Sequence, residues 1–213
     1  MNFNTFLLDV SKIEKAKLPA QVSQFKMSPP FRAQLIEKQK ERIKGAKQAG
    51  VMALFYPDAN ENTKLALILR NTYKGVHSAQ IGFPGGKFET VDTSLKATAL
   101  RETFEEIGVP IQQIDVIKQL TELYIPPSNF YVQPYIGVIR QTPHFVKQET
   151  EVSEIVEVLL SDFLDDKAVT AHEVQTSHNA IVEVPAFELN GHIVWGATAM
   201  ILSEIKDLFK ILS

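Results

Sequence analysis

The chain has 213 residues, with 22 Lys and Arg against 25 Asp and Glu, five His and no Cys. That length supports one full domain with a proper core, and a composition of 45 % hydrophobic and 22 % charged residues excludes a wholly disordered or fibrous chain. The lack of Cys excludes disulfides, thiolate-held clusters and a Cys nucleophile, and a formal charge of −3 gives no broad cationic surface for nucleic acid.

Residues 1–9 lack the basic stretch and long apolar run of a secretory leader, and the most apolar run, 193–202, is far below the roughly 20 residues that cross a bilayer. The expectation is a soluble cytoplasmic protein with no membrane partner. Residues 1–48 read as an N-terminal helical extension: a charged stretch from Lys12 to Lys17, turns at Leu18-Pro19-Ala20 and Met27-Ser28-Pro29-Pro30, then a surface helix over 33–47 ending near Gly50. The lysines of that helix alternate with glutamates, which favours a solvated face over a basic helix for a partner or nucleic acid.

Residues 49–213 read as the main domain. Apolar runs at 51–56 and 65–69, separated by Pro57-Asp58-Ala59-Asn60, predict a hairpin. A polar loop covers 71–80, a Gly-Pro turn 82–86 and a helix 93–107. Strands are expected at 114–124, 131–140, 154–159 and 181–189, the last two flanking a short helix at 161–164, and a final helix runs over 198–211. This order predicts an α/β fold with a mixed sheet between helices.

The helix over 93–107 carries the chemistry. At about 100° per residue, Leu100, Phe104 and Ile107 form an apolar stripe, while Glu102, Glu105 and Glu106 share the opposite face. Gly108 and Pro110 end the helix. Arg101 can pair with Glu105 at i+4, leaving Glu102 and Glu106 aimed at one point. A hard divalent cation such as Mg²⁺ would relieve their repulsion. The bland alternative for any Glu pair on a helix is a solvated face.

Gly85-Gly86 followed by Arg101-Glu102-x-x-Glu105-Glu106-x-Gly108-Val109 resembles the signature of the Nudix hydrolase family, with Thr103 where an apolar residue is usual. The interval from Gly86 to Arg101 is one residue longer than the signature's, so its first carboxylate falls on Asp92, Thr93 or Glu89. His77-Ser78-Ala79-Gln80 and Phe83-Pro84-Gly85-Gly86, with Arg70 before them and Trp195-Gly196 late in the chain, are most similar to the coenzyme A pyrophosphatase branch. Ala79 replaces a usual Gly there, and Lys74 is the nearest basic residue in the loop.

The resemblance implies a Nudix-type α/β/α sandwich that hydrolyses the P–O–P bridge of a small-molecule nucleotide with Mg²⁺ or Mn²⁺, and the branch implies CoA or a CoA derivative, cleaved to 3′,5′-ADP and 4′-phosphopantetheine. ADP-ribose or another nucleotide is the nearest alternative substrate, and a non-catalytic nucleotide-binding module is the alternative outside enzymes. It implies Glu102, Glu105, Glu106 and the Gly86 carbonyl as metal ligands, and Glu105, Glu106 and Arg101 as the catalytic set. Arg70, Lys74 and His77 would be the substrate's cations, and Glu151 is a later-loop candidate for the base. Analogy suggests a homodimer. Three segments get quieter readings: Tyr124-Ile125-Pro126-Pro127-Ser128-Asn129-Phe130 caps the core rather than lining the pocket, Trp195 packs the C-terminal helix, and the remaining histidines lack metal-like spacing.

Overall fold

The structure is a computed structural model that describes residues 1–71, 80–175 and 181–212. Lys74 and His77 lie outside the described residues. Strand β1 (Lys47–Pro57) runs antiparallel to β2 (Thr63–Arg70), with Leu54 opposite Ala66, so the expected hairpin is present. On its other side β1 runs parallel to β7 (Phe130–Val138), from Lys47 opposite Phe130 to Phe55 opposite Val138. Four short strands extend this frame: β3 (Ile81–Gly82) on β2, β4 (Gly85–Lys87) on β1, and β5 (Asp115–Gln119) and β6 (Leu123–Ile125) on β7. Strand β8 (Val152–Leu159) adds to β2. A second sheet holds β9 (Val169–Gln175), β10 (Ile181–Leu189) and β11 (His192–Trp195), in the order β11-β10-β9.

The main sheet is covered on both faces, which is why β1 and β2 are unbroken apolar runs rather than alternating ones. Ala53, Phe55, Leu65 and Leu67 point to one side, against helix α1 (Phe3–Lys15) and the last helix, α7 (Gly196–Leu212). Met52, Leu54, Tyr56, Ala66 and Ile68 point to the other side, against the carboxylate helix α5 (Leu95–Ile107). The mixed sheet between helices is therefore as expected.

The N-terminal segment departs from expectation. The 33–47 helix divides into α3 (Arg32–Lys38) and α4 (Lys40–Ile43), and Gly50 lies inside β1. A helix at 3–15 was not read from the sequence, although Phe3, Phe6, Val10 and Ile13 recur at spacings of three and four. Phe6 stacks on Phe209 of α7 at 6.0 Å and tilts against Phe55 of β1 at 5.4 Å, so α1 is part of the main core. Helix α2 (Ala20–Gln24) joins α7 through buried polar bonds: the Ser203 hydroxyl donates to the Ser23 carbonyl at 2.7 Å, and Gln24 Nε2 to Glu204 at 3.0 Å. Between β8 and β9, α6 (Leu160–Leu164) supplies the expected short helix.

Candidate active site

Helix α5 is fixed at both ends. Ser94 caps its start, accepting the Ala97 N–H at 3.1 Å. Gly108, at φ +75°, turns the chain in the left-handed region at its end. The loop before β8 then returns to the last turn, where Val146 N–H donates to the Ile107 carbonyl and Gln148 N–H to the Glu106 carbonyl, both at 3.0 Å. These bonds satisfy carbonyls that the helix leaves orphaned. They also anchor the segment that carries Glu151 beside the helix.

The buried stripe of α5 differs from the expected one. Phe104 is exposed, and the buried positions are Thr98, Ala99, Thr103, Glu106 and Ile107. Thr103 occupies its apolar position by donating its hydroxyl to the Ala99 carbonyl one turn back at 2.6 Å.

Glu106 is 1 % exposed and faces the Gly85-Gly86 turn. Its Oε2 accepts the Gly85 N–H at 2.8 Å, and its Oε1 lies 3.3 Å from Arg70 Nη2. Arg70 also donates to the Gly85 carbonyl at 2.7 Å. Burial pushes the Glu106 carboxyl up to about 7, a rise that Arg70 and the Gly85 N–H oppose and that Glu102 and Glu151 reinforce. Burial likewise raises Glu102, with Arg101 opposing and Glu105 and Glu151 adding repulsion. A Cβ on Gly86 would collide with the Glu102 carboxylate, so glycine is what lets that carboxylate lie flat against the turn.

Arg101 uses all five of its N–H donors within the chain. Nε and Nη2 hold the two oxygens of Asp92 at 2.9 Å each, Nη2 also reaches the Lys87 carbonyl at 3.2 Å, and Nη1 bridges Glu102 and Glu105 at 2.9 Å each. Asp92 further accepts the Thr98 hydroxyl and the Glu89 N–H, and its carboxyl is held well below the usual range, chiefly by Arg101. Of the three positions open in the sequence, Asp92 is the one whose carboxylate joins the helix. The sequence pairing of Arg101 with Glu105 alone is thus extended to Glu102 and Asp92.

Glu102, Glu105, Glu106, Arg101, Gly86 and Arg70 are therefore gathered at one end of α5, with Glu151 close enough to perturb two of the glutamates. Among the described residues no three Asp, Glu or His side chains stand in a ready metal cluster, because Arg101 and Arg70 occupy carboxylate oxygens. The donor set still fits a hard divalent ion: carboxylate oxygens and a main-chain carbonyl are the ligands such ions take, and the mutual repulsion of Glu102, Glu106 and Glu151 is what a cation relieves.

The Tyr124–Phe130 segment forms the turn between β6 and β7, where Tyr124 is buried and tilts against Tyr131 at 5.1 Å. Trp195 sits with Leu69, Ile81 and His192 around a cleft of about 230 Å³ beside β3.

A NUDIX-domain family model matches residues 46–178. A protein of Enterobacter sp. (strain 638) described as an uncharacterized Nudix hydrolase NudL is 32 % identical over 150 residues, covering 68 % of this chain and 74 % of the relative. The peroxisomal coenzyme A diphosphatase ndx-8 of Caenorhabditis elegans is 30 % identical over 126 residues, covering 59 % of this chain and 54 % of that one. Among solved structures, the Nudix hydrolase RenU of M. smegmatis superposes with a TM-score of 0.53 at 15 % identity, covering 79 % of this chain and 88 % of that one.

Proposed function

The chain belongs to the Nudix family and is a pyrophosphohydrolase, and from that premise we propose that its substrate is coenzyme A or a CoA derivative, cleaved with Mg²⁺ or Mn²⁺ to 3′,5′-ADP and 4′-phosphopantetheine. The observation that carries this reading is the Phe83-Pro84-Gly85-Gly86 turn, locked to the carboxylate helix by Glu106 and to β2 by Arg70. The C. elegans relative named as a CoA diphosphatase supports the same choice.

In this reading Glu102, Glu105, Glu106 and the Gly86 carbonyl would hold the cation. When bound, a divalent ion supplies charge neutralisation across the diphosphate bridge and makes water easier to deprotonate. Arg101 is a positioning residue: its donors hold Glu102 and Glu105 in place, and Asp92 holds Arg101. Glu105 is half-exposed, with Oε2 on Arg101 and no protein partner on Oε1 among the described residues, and we assign it proton acceptance from the attacking water, with Glu106 and Glu151 as alternatives. Arg70, which holds Glu106 and the Gly85 carbonyl, would be the cation nearest the diphosphate. Lys74 and His77, from the loop that follows, complete the substrate's cations in this proposal. The division into an extension, 1–48, and a hydrolase domain, 49–213, is one of motif content, since α1 shares the domain's core.

The test is product identification by mass spectrometry after incubation of the purified chain with a substrate panel and Mg²⁺ or Mn²⁺. The expected products from CoA are 3′,5′-ADP and 4′-phosphopantetheine. AMP from ADP-ribose with no 3′,5′-ADP from CoA would overturn the substrate and leave the family standing.

A further inference from the structure

The N-terminal segment gathers cations at one corner of the molecule and leaves both of its arginines without counter-ions. Residues 32–47 hold six Lys and Arg against two Glu, in a chain whose net charge is −3. Both glutamates are taken, Glu37 by Lys40 at 2.6 Å and Glu41 by Lys44 at 2.8 Å. Among the described residues, neither the Arg32 nor the Arg42 guanidinium has a carboxylate at ion-pair distance or a hydrogen-bond acceptor. Arg42 is exposed, but Arg32 is only 9 % exposed, and its Nε is buried with nothing to donate to. A buried, unpaired guanidinium is a costly feature.

The corner is closed by the turn between β6 and β7. Asn129 Nδ2 donates to the carbonyls of Arg42 at 3.2 Å and Gly45 at 3.4 Å, and the Lys47 N–H donates to the Asn129 carbonyl at 3.0 Å. Asn129 also accepts the Tyr124 hydroxyl at 2.8 Å, and both arginines lie within electrostatic reach of that hydroxyl. Two more orphaned polar atoms belong to the same frame: Ser128 Oγ in the turn and Gln39 Oε1 between α3 and α4. Buried polar atoms are paired in the great majority of cases. A guanidinium and a hydroxyl left unpaired in adjoining segments are donors that an anionic ligand would satisfy. A planar guanidinium suits phosphate oxygens.

We infer that the corner framed by α3, α4 and the β6–β7 turn is a second ligand site, distinct from the carboxylate helix, that takes the phosphomonoester of a small nucleotide between Arg32 and Arg42. A small ligand is favoured over a nucleic-acid strand because Arg32 is reached only by a group that inserts, whereas a strand's backbone meets exposed charges. The site lies at the same end of β1 as the catalytic turn: Lys47 is opposite Phe130 on one side of the strand, and Ala49 is opposite Lys87 on the other.

Isothermal titration calorimetry of the full chain in EDTA tests this, with inorganic phosphate, 5′-AMP, 3′,5′-ADP, adenosine and a ten-nucleotide RNA as probes. The phosphorylated nucleotides are expected to bind and adenosine to give no heat. Arg42→Gln is expected to weaken nucleotide binding at least tenfold and Arg32→Lys at least fivefold. A preference for 3′,5′-ADP over 5′-AMP identifies the 3′-phosphate of the proposed substrate as the source, and equal binding identifies a separate nucleotide. The inference is overturned if no phosphorylated probe gives heat, if both arginine variants bind as the parent does, or if the RNA binds more tightly than the nucleotides through Arg42. Because the titration needs no turnover, its failure is separable from failure of the substrate assignment.

Discussion

Arg101 holds Asp92 by two parallel bonds of 2.9 Å, Nε to Oδ1 and Nη2 to Oδ2, across nine residues of chain. This pair ties the loop that leaves the glycine turn to the helix bearing the glutamates. It also leaves Nη1 free to bridge Glu102 and Glu105.

Asp92→Asn removes the charge but keeps the shape. A buried, hydrogen-bonded pair broken on one side costs several kcal/mol, and for this partly screened pair the expected loss is about 2 kcal/mol, a fall in Tm of about 4–8 °C. The pH sign follows from the depressed carboxyl: its contribution is present above the ordinary Asp value of about 3.9 and is lost as pH falls through the lower folded value. Thermal melts of parent and Asn variant between pH 7 and pH 2 check this, since their difference is expected to shrink on acidification.

Glu106→Gln has opposite effects on activity and on metal-free stability. The amide keeps an acceptor for the Gly85 N–H but cannot serve as an anionic ligand, so turnover is expected to fall at least a thousandfold. In the metal-free chain Glu106 titrates near 7 rather than 4.5. The folded state then binds the extra proton, so stability falls as pH rises from about 4.5 through 7. In EDTA at pH 8 the Gln variant is expected to be more stable than the parent, on the order of 1–3 kcal/mol. Urea unfolding at pH 5 and pH 8, with and without Mg²⁺, measures this; Mg²⁺ is expected to stabilise only the parent.

Gly86→Ala places a methyl group where the Glu102 carboxylate lies. Relief requires that carboxylate or the β1–β4 pairing to move, at a cost of about 1–3 kcal/mol. Activity is expected to drop at least a hundredfold, with most of the loss in kcat, which steady-state kinetics resolves.

Thr103→Val is the contrasting case. The hydroxyl donates to the Ala99 carbonyl and otherwise sits in an apolar layer. Replacing it with a methyl of similar volume is expected to change stability by less than about 1 kcal/mol and to leave kcat/KM within twofold. A large loss in chemical denaturation would give the hydroxyl a second role.

The carboxylate helix, its glycine terminator and the hairpin of β1 and β2 were legible because each is a local pattern: carboxylates at i, i+3 and i+4, a Gly-x-Pro stop and two apolar runs around a turn. What failed was long-range. The sequence placed Phe104 on the buried stripe, but the packing of α5 on β1 and the turn of β4 buries Glu106 and Thr103 instead. Two polar residues occupy the interior because Gly85 and Ala99 supply partners that composition cannot reveal. The first carboxylate stayed open among three positions until Arg101 picked out Asp92. Helix α1 carries its periodicity at Phe3, Phe6, Val10 and Ile13, but the charged stretch from Lys12 to Lys17 masks it with a solvated composition.

The contact of Phe6 with Phe209 gathers α1 and α7 against the same strand, Phe55 included. During synthesis, α1, β1 and the glutamate helix all leave the ribosome well before α7 exists. Until the last helix emerges, Phe6 and Phe55 have each other and Phe3 but lack the Phe209 side of their cover, so the nascent chain shows an apolar face there.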